Sequence, residues 1–180
     1  MSWTHTVATS LGASEAGLRL VLGQLAGYPL VFLYRRHLAR RDTNTQHLAF
    51  FLSGLLLAYW VIGEGVSHSL YTIFLTYLTL LCLGGSLAGV SVSFLINMTY
   101  LLAGYWYEAR EEYDISWTMP QCVLCLRLIG LSWDLYDGER LKKNPESLSK
   151  DQLKTALTTP PNILEMLSHS FFIGGYFVGE

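Results

Sequence analysis

The chain has 180 residues, of which 51% are hydrophobic and 14% charged, with a formal net charge of −2. Soluble domains carry about 25% charged residues, so the composition excludes an ordinary water-soluble globule, and the slightly acidic balance excludes the basic footprint of a nucleic-acid binder. The 3 cysteines are too few, and too apolar in context, for a disulfide framework.

The placement of the charges says more than their number. Between Glu64 and Glu108 there is no Asp, Glu, Lys or Arg over 43 residues. One bilayer crossing takes about 20 predominantly apolar residues, so this stretch alone has room for two. The expected fold class is therefore all-α, a polytopic bundle of about six membrane helices.

In chain order, residues 10–15 (SLGASE) read as a short capped or interfacial helix, with Ser14 able to cap a helix start. The first crossing is expected over residues 18–34, with Arg19 snorkelling at its N-terminal end. No basic region precedes it, so it reads as a retained signal anchor, not a cleaved leader. The second helix is expected over residues 48–62, ending at Gly63-Glu64-Gly65. The uncharged stretch divides into helices over residues 68–83 and 90–107, broken at the glycines from Gly84 to Gly89. A fifth helix is expected over residues 119–133 with Pro120 in its first turn, closed by Trp133, Asp134 and Gly138. A linker over residues 134–162 leads to Pro160-Pro161 and a sixth helix over residues 163–178. Gly54, Gly84, Gly85, Ala88, Gly89, Ala103 and Gly104 offer close backbone approaches between helices.

Orientation follows from Lys and Arg. Arg35, Arg36, Arg40 and Arg41 follow the first helix, and Arg140, Lys142, Lys143, Lys150 and Lys154 lie in the linker. Together they hold nine of the 12 basic residues. A six-helix count puts both segments on one side, the cytoplasmic one, with the acidic segment from Glu108 to Asp114 and both ends of the chain opposite.

Few side chains suggest chemistry. Cys122 and Cys125 spell CxxC inside an apolar helix, without the further ligands zinc needs, and read as packing residues. Asn97-Met98-Thr99 spells a glycosylation sequon but lies inside a helix, where Asn97 is expected to hydrogen-bond between helices. Gly84-Gly85-Ser86-Leu87-Ala88 falls short of a nucleophile elbow in both its last residue and its context. Arg127, in the middle of the fifth helix, costs about 2.5–3.5 kcal/mol on insertion scales. It must face protein, a carboxylate such as Asp134 or Glu165, or a wet cavity that holds a phosphate or carboxylate head group. His169 is the one histidine within an expected helix, and His68 lies at the mouth of another. Asp134 and Asp137 are paired acids without the oxygen ligands of a calcium loop. Arg127, Asp134, Asp137 and His169 are thus the candidate cavity residues, and no metal site is expected.

The string YDISWTMPQCVLCLRLIGLSWDLYDG, from Tyr113 to Gly138, resembles the lysophospholipid acyltransferases of the membrane-bound O-acyltransferase family. ATSLGASEAGLRL (Ala8 to Leu20), TYLLAGYWY (Thr99 to Tyr107) and FFIGGYFVG (Phe171 to Gly179) fit the same family in the same order. The resemblance implies a multi-pass enzyme of the endoplasmic reticulum. Such an enzyme moves an acyl group from coenzyme A to the free hydroxyl of a lysophospholipid such as lysophosphatidylcholine, with acyl-CoA as co-substrate and no bound cofactor. It also implies that the catalytic asparagine and histidine lie beyond residue 180, so that no residue here inherits either role and the chain alone is inactive. The family has a proline after the position of Gly179, where this chain has Glu180, which is expected of a fragment or an alternative ending. A non-catalytic membrane module or short isoform that regulates the full enzyme is the competing expectation. A small transporter would show repeat symmetry, and none is visible.

Overall fold

The computed structural model describes residues 3–109, 117–172 and 174–177, and every regular element among them is helical. Eight α-helices follow one another: α1 (Trp3–Leu11), α2 (Glu15–His37), α3 (Thr43–Ile62), α4 (Val66–Leu83), α5 (Leu87–Glu108), α6 (Thr118–Lys143), α7 (Gln152–Thr155) and α8 (Ile163–Ser170). The stretches Glu15–His37, Thr43–Leu83 and Leu87–Glu108 are long and apolar enough to cross a membrane. The middle one contains both α3 and α4, joined through the 3₁₀ turn Gly63–Gly65.

Local chemistry explains the boundaries. Ser14 does cap a helix: its hydroxyl accepts from the Gly17 N–H at 3.1 Å and opens α2. The expected helix over residues 10–15 is instead the joint between α1 and α2, because α1 ends at Leu11 and Gly12 takes a φ of 66°. Asp42 caps α3 through the Thr45 N–H, and its bonds to Thr45 hold its carboxyl below the usual carboxylate range. The glycine break is shorter than the expected Gly84 to Gly89: α4 ends at Leu83 and α5 already starts at Leu87, with the Ser86 hydroxyl accepting from the Gly89 N–H at 3.0 Å.

Two further expectations fail. The fifth helix does not stop at Trp133; α6 runs on to Lys143, so the linker starts at Asn144 and not at Asp134. Arg140, Lys142 and Lys143 suit the negative end of a helix dipole. Gly138, expected as a stop, is small for another reason: a Cβ there would overlap the Leu157 carbonyl oxygen. The linker doubles back along α6, and the Leu157 N–H donates to the Asp134 carbonyl at 2.9 Å.

The sixth helix is also shorter than expected. It ends at Ser170 after 8 residues, about 12 Å at 1.5 Å per residue, which is too short to cross a bilayer. Beyond Ser170 the chain makes a turn in which the N–H groups of Gly175 and Tyr176 both donate to the Phe172 carbonyl at 3.0 Å. This segment wedges between the diverging arms of α3 and α4. It enters beside His47, whose Nδ1 lies 2.7 Å from the Ser168 hydroxyl. It passes Gly54, where a Cβ would overlap the Phe171 carbonyl oxygen. At its far end the Tyr176 and Ser69 hydroxyls are 2.8 Å apart. Residues 110–116, which carry most of the expected acidic loop, lie outside the described residues.

A buried polar seam joins α4, α5 and α6. Ser69, Thr72, Thr76 and Thr79 recur at helical spacing along one face of α4, and all are buried. Gln121 of α6 accepts from Ser69 at 3.0 Å and donates to Thr72 at 2.9 Å. Asn97 of α5 donates to Thr76 at 2.8 Å, the expected interhelical bond at the unused sequon. The Cys125 thiol donates to the Asn97 carbonyl at 3.5 Å, and the Ser132 and Ser93 hydroxyls are 2.7 Å apart.

Two substitutions test this packing. Gln121→Leu leaves two buried hydroxyls short of a partner and is expected to cost about 1–3 kcal/mol, read as a lower melting temperature of the detergent-solubilised protein. Gly138→Leu is expected to cost at least as much by pushing residues 155–158 off α6, whereas Gly130→Leu, with nothing near its Cβ, leaves the melting temperature nearly unchanged.

Candidate functional site

Where the wedge segment meets α3 and α6, an open cavity of about 470 Å³ is lined by both apolar and ionisable groups, among them His47, Arg127, Glu165, Ser168 and His169. Phe50, Leu131, Leu157, Met166 and Phe172 supply its apolar walls. The polar groups arrive from three elements. His47 comes from the first turns of α3, Arg127 from the middle of α6, and Glu165, Ser168 and His169 from α8.

The cavity brings two of the four candidates together. Arg127 Nη2 lies 3.4 Å from His169 Nδ1, although the two residues are 42 apart in sequence. A guanidinium in an apolar helix thus points at a polar hollow rather than at lipid. Glu165 is engaged elsewhere: it closes a capping box on α8, its Oε2 accepting from the Asn162 N–H at 2.8 Å. Ser168 donates to the Glu165 carbonyl at 2.8 Å and also meets His47.

Asp134 and Asp137 stand apart from this cavity, on the part of α6 that continues beyond its apolar turns. Burial pushes the Asp134 carboxyl up, opposed by a hydrogen bond from Thr155, with the Asp137 charge adding a smaller upward push. Its carbonyl holds Leu157, one of the cavity walls, so Asp134 shapes the site from behind. Asp137 is buried with Oδ1 3.7 Å from Arg140 Nη1, which makes it a structural partner of the helix end.

A second cavity, of about 350 Å³, lies at the opposite end of the bundle. It is lined by His68, Tyr100, Tyr107, Glu108 and Trp117, together with Ala103 and Gly104. Sequence reading placed His68 only at a helix mouth. The signal it passed over is the return of aromatic residues to one helix end at Tyr100, Tyr107 and Trp117. Among the described residues no group of three His, Cys, Asp or Glu is placed to hold a metal.

Residues 102–179 match the membrane-bound O-acyltransferase family, a region that holds Arg127, Asp134, Asp137 and His169. Across 175 residues the chain is 46% identical to lysophospholipid acyltransferase 5 of Rattus norvegicus, covering 97% of this chain and 35% of that protein. The human protein of the same name is 44% identical over the same span and coverage. That of Drosophila melanogaster is 43% identical, covering 96% of this chain and 35% of the relative. The chain therefore spans about a third of the length of these relatives.

The raised pKa of Asp134 gives a pH test. A carboxyl that holds its proton more tightly when folded loses stability as pH rises from its unfolded value through its raised folded value. Asp134→Asn, which keeps an acceptor for Thr155, is expected to match the parent protein in strong acid and to melt at a higher temperature above that window. Melting temperatures measured across about pH 3 to 8 check the sign, on the order of a few degrees at most.

Proposed function

We propose that this chain, whose residues 102–179 match the membrane-bound O-acyltransferase family, forms the N-terminal part of an acyl-CoA-dependent lysophospholipid O-acyltransferase. Phospholipid remodelling is the setting and the endoplasmic reticulum membrane the location. The observation that carries this is the 46% identity to lysophospholipid acyltransferase 5 across 97% of the chain. In the reaction the lysophospholipid hydroxyl attacks the thioester carbonyl of acyl-CoA. The new ester forms, the hydroxyl proton passes to a general base, and coenzyme A leaves as the thiolate. The base must sit within hydrogen-bond reach of the hydroxyl.

His169 is not assigned that role. Its Nδ1 lies 3.4 Å from Arg127 Nη2, so that ring nitrogen is already engaged by a neighbouring side chain. The base and its asparagine partner are contributed from outside these 180 residues, which by themselves do not turn over substrate. Arg127, His169 and His47 are suited to binding instead. The Arg127 guanidinium at a hollow with aromatic and aliphatic walls matches a phosphate-bearing group attached to an acyl chain. The basic segments at Arg35–Arg41 and Arg140–Lys154 face the cytosol.

Microsomes that express this chain alone are expected to show no acyl transfer from acyl-CoA to lysophosphatidylcholine above the host background. Microsomes with the full-length protein are expected to show robust transfer. Transfer by the chain alone overturns the assignment of the base, and no transfer by the full-length protein overturns the reading itself. Within the full-length protein, Arg127→Ala is expected to raise the Michaelis constant for the phosphate-bearing substrate about tenfold, the value of one lost charge-assisted hydrogen bond. Arg127→Lys is expected to recover part of it.

A further inference from the structure

The second cavity has a different chemistry from the first. Its ionisable lining groups are one carboxylate, Glu108, one imidazole, His68, and the phenols of Tyr100 and Tyr107. The rings are held in fixed relation. His68 stacks on Trp117 with centroids 3.9 Å apart and 12° between planes. Its Nδ1 lies 2.7 Å from the Tyr100 hydroxyl. Tyr100 and Trp117 stand 6.2 Å apart at 60°, two walls of a corner. Tyr71 backs Tyr100 at 5.5 Å. The Trp117 indole N–H donates to Glu108 Oε1 at 2.8 Å, which ties the carboxylate to the ring system.

Aromatic walls with a single negative charge are the recognition chemistry of a weakly hydrated cation. The ring faces attract positive charge without offering hydrogen bonds, and the carboxylate neutralises it. A quaternary ammonium needs no hydrogen bonds, and a hollow of about 350 Å³ is ample for a trimethylammonium group. A phosphate finds no Lys or Arg among these lining residues. The position agrees: Glu108, Trp117 and the Gly63–Gly65 turn lie at the end of the bundle away from the basic segments, at the level where interfacial aromatics meet lipid head groups.

We propose that Tyr100, Tyr107, Trp117 and Glu108 form a cage for the trimethylammonium group of a choline-bearing lipid, with His68 as a positioning residue that holds the Tyr100 and Trp117 rings. That the ligand is a lipid rests on the functional reading above; the choice of a quaternary ammonium rests on the cage. The cage would set head-group preference at the face opposite the basic segments, away from the Arg127 cavity.

The test uses the purified full-length protein in micelles and equilibrium binding of lysophospholipids that share one acyl chain and differ in head group. The parent protein is expected to bind lysophosphatidylcholine about tenfold more tightly than lysophosphatidylglycerol. Glu108→Gln, which keeps an acceptor for the Trp117 N–H, and Tyr107→Leu, an exposed position, should each shrink that ratio to about twofold or less, while Tyr107→Phe keeps it. An unchanged ratio in both Glu108→Gln and Tyr107→Leu overturns the cage. Equal affinity for lysophosphatidylethanolamine overturns the assignment of a quaternary ammonium. Acyl transfer is assayed on the same preparations: a choline preference that follows the cage variants in a protein without transferase activity sinks the acyltransferase reading and leaves the cage standing.

Discussion

Inside hydrocarbon there is no water to complete a hydrogen bond, so a polar side chain at membrane depth must find its partner on another helix. The seam between α4, α5 and α6 is this chain's answer. Ser69, Thr72 and Thr76 face Gln121 and Asn97, and Ser93 faces Ser132. Such bonds average only about 0.6 kcal/mol each in membrane proteins, so their value lies less in stability than in register. Apolar faces pack acceptably in many rotations, whereas a glutamine that must reach both Ser69 and Thr72 fits one.

Register on one face of α6 decides what its other faces present. With Gln121, Cys125 and Ser132 turned to the seam, Arg127 and Leu131 turn toward the wedge segment and frame the first cavity. The same seam anchors the wedge, because Tyr176 reaches Ser69 at the point where Ser69 meets Gln121. At its other end α6 delivers Trp117 against His68 and Glu108. The Arg127 hollow and the aromatic hollow are thus two outcomes of one constraint, placed at different ends of the bundle.

Much of this was legible in the sequence, and the failures are instructive. The uncharged stretch, its glycine break and the interhelical role of Asn97 followed from composition and spacing alone. The resemblance carried by the string around Arg127 pointed to the family. Helix ends were misread where tertiary contact overrides local signals. Gly138 stays helical because a distant backbone crosses it, and the helix over residues 163–178 stops at Ser170 because the chain must turn to seat Phe171 and Tyr176 between α3 and α4. Arg127 and His169 were each visible as polar residues out of place, but nothing along the chain says that residues 42 apart meet. The ring system at His68 was missed for the same reason: its members come from α4, α5 and the residue that leads into α6.

Both hollows depend on the chain lying across the bilayer with its two basic segments on one face and the Gly63–Gly65 turn on the other. Single cysteines introduced at Ala39, Glu64 and Ser149 of a cysteine-free protein, probed with an impermeant maleimide in sealed microsomes, read this directly. Labelling at positions 39 and 149 in intact vesicles, with position 64 labelled only after the membrane is opened, is the predicted result. Labelling at positions 39 and 149 on opposite faces, or at all three without opening the membrane, would contradict it.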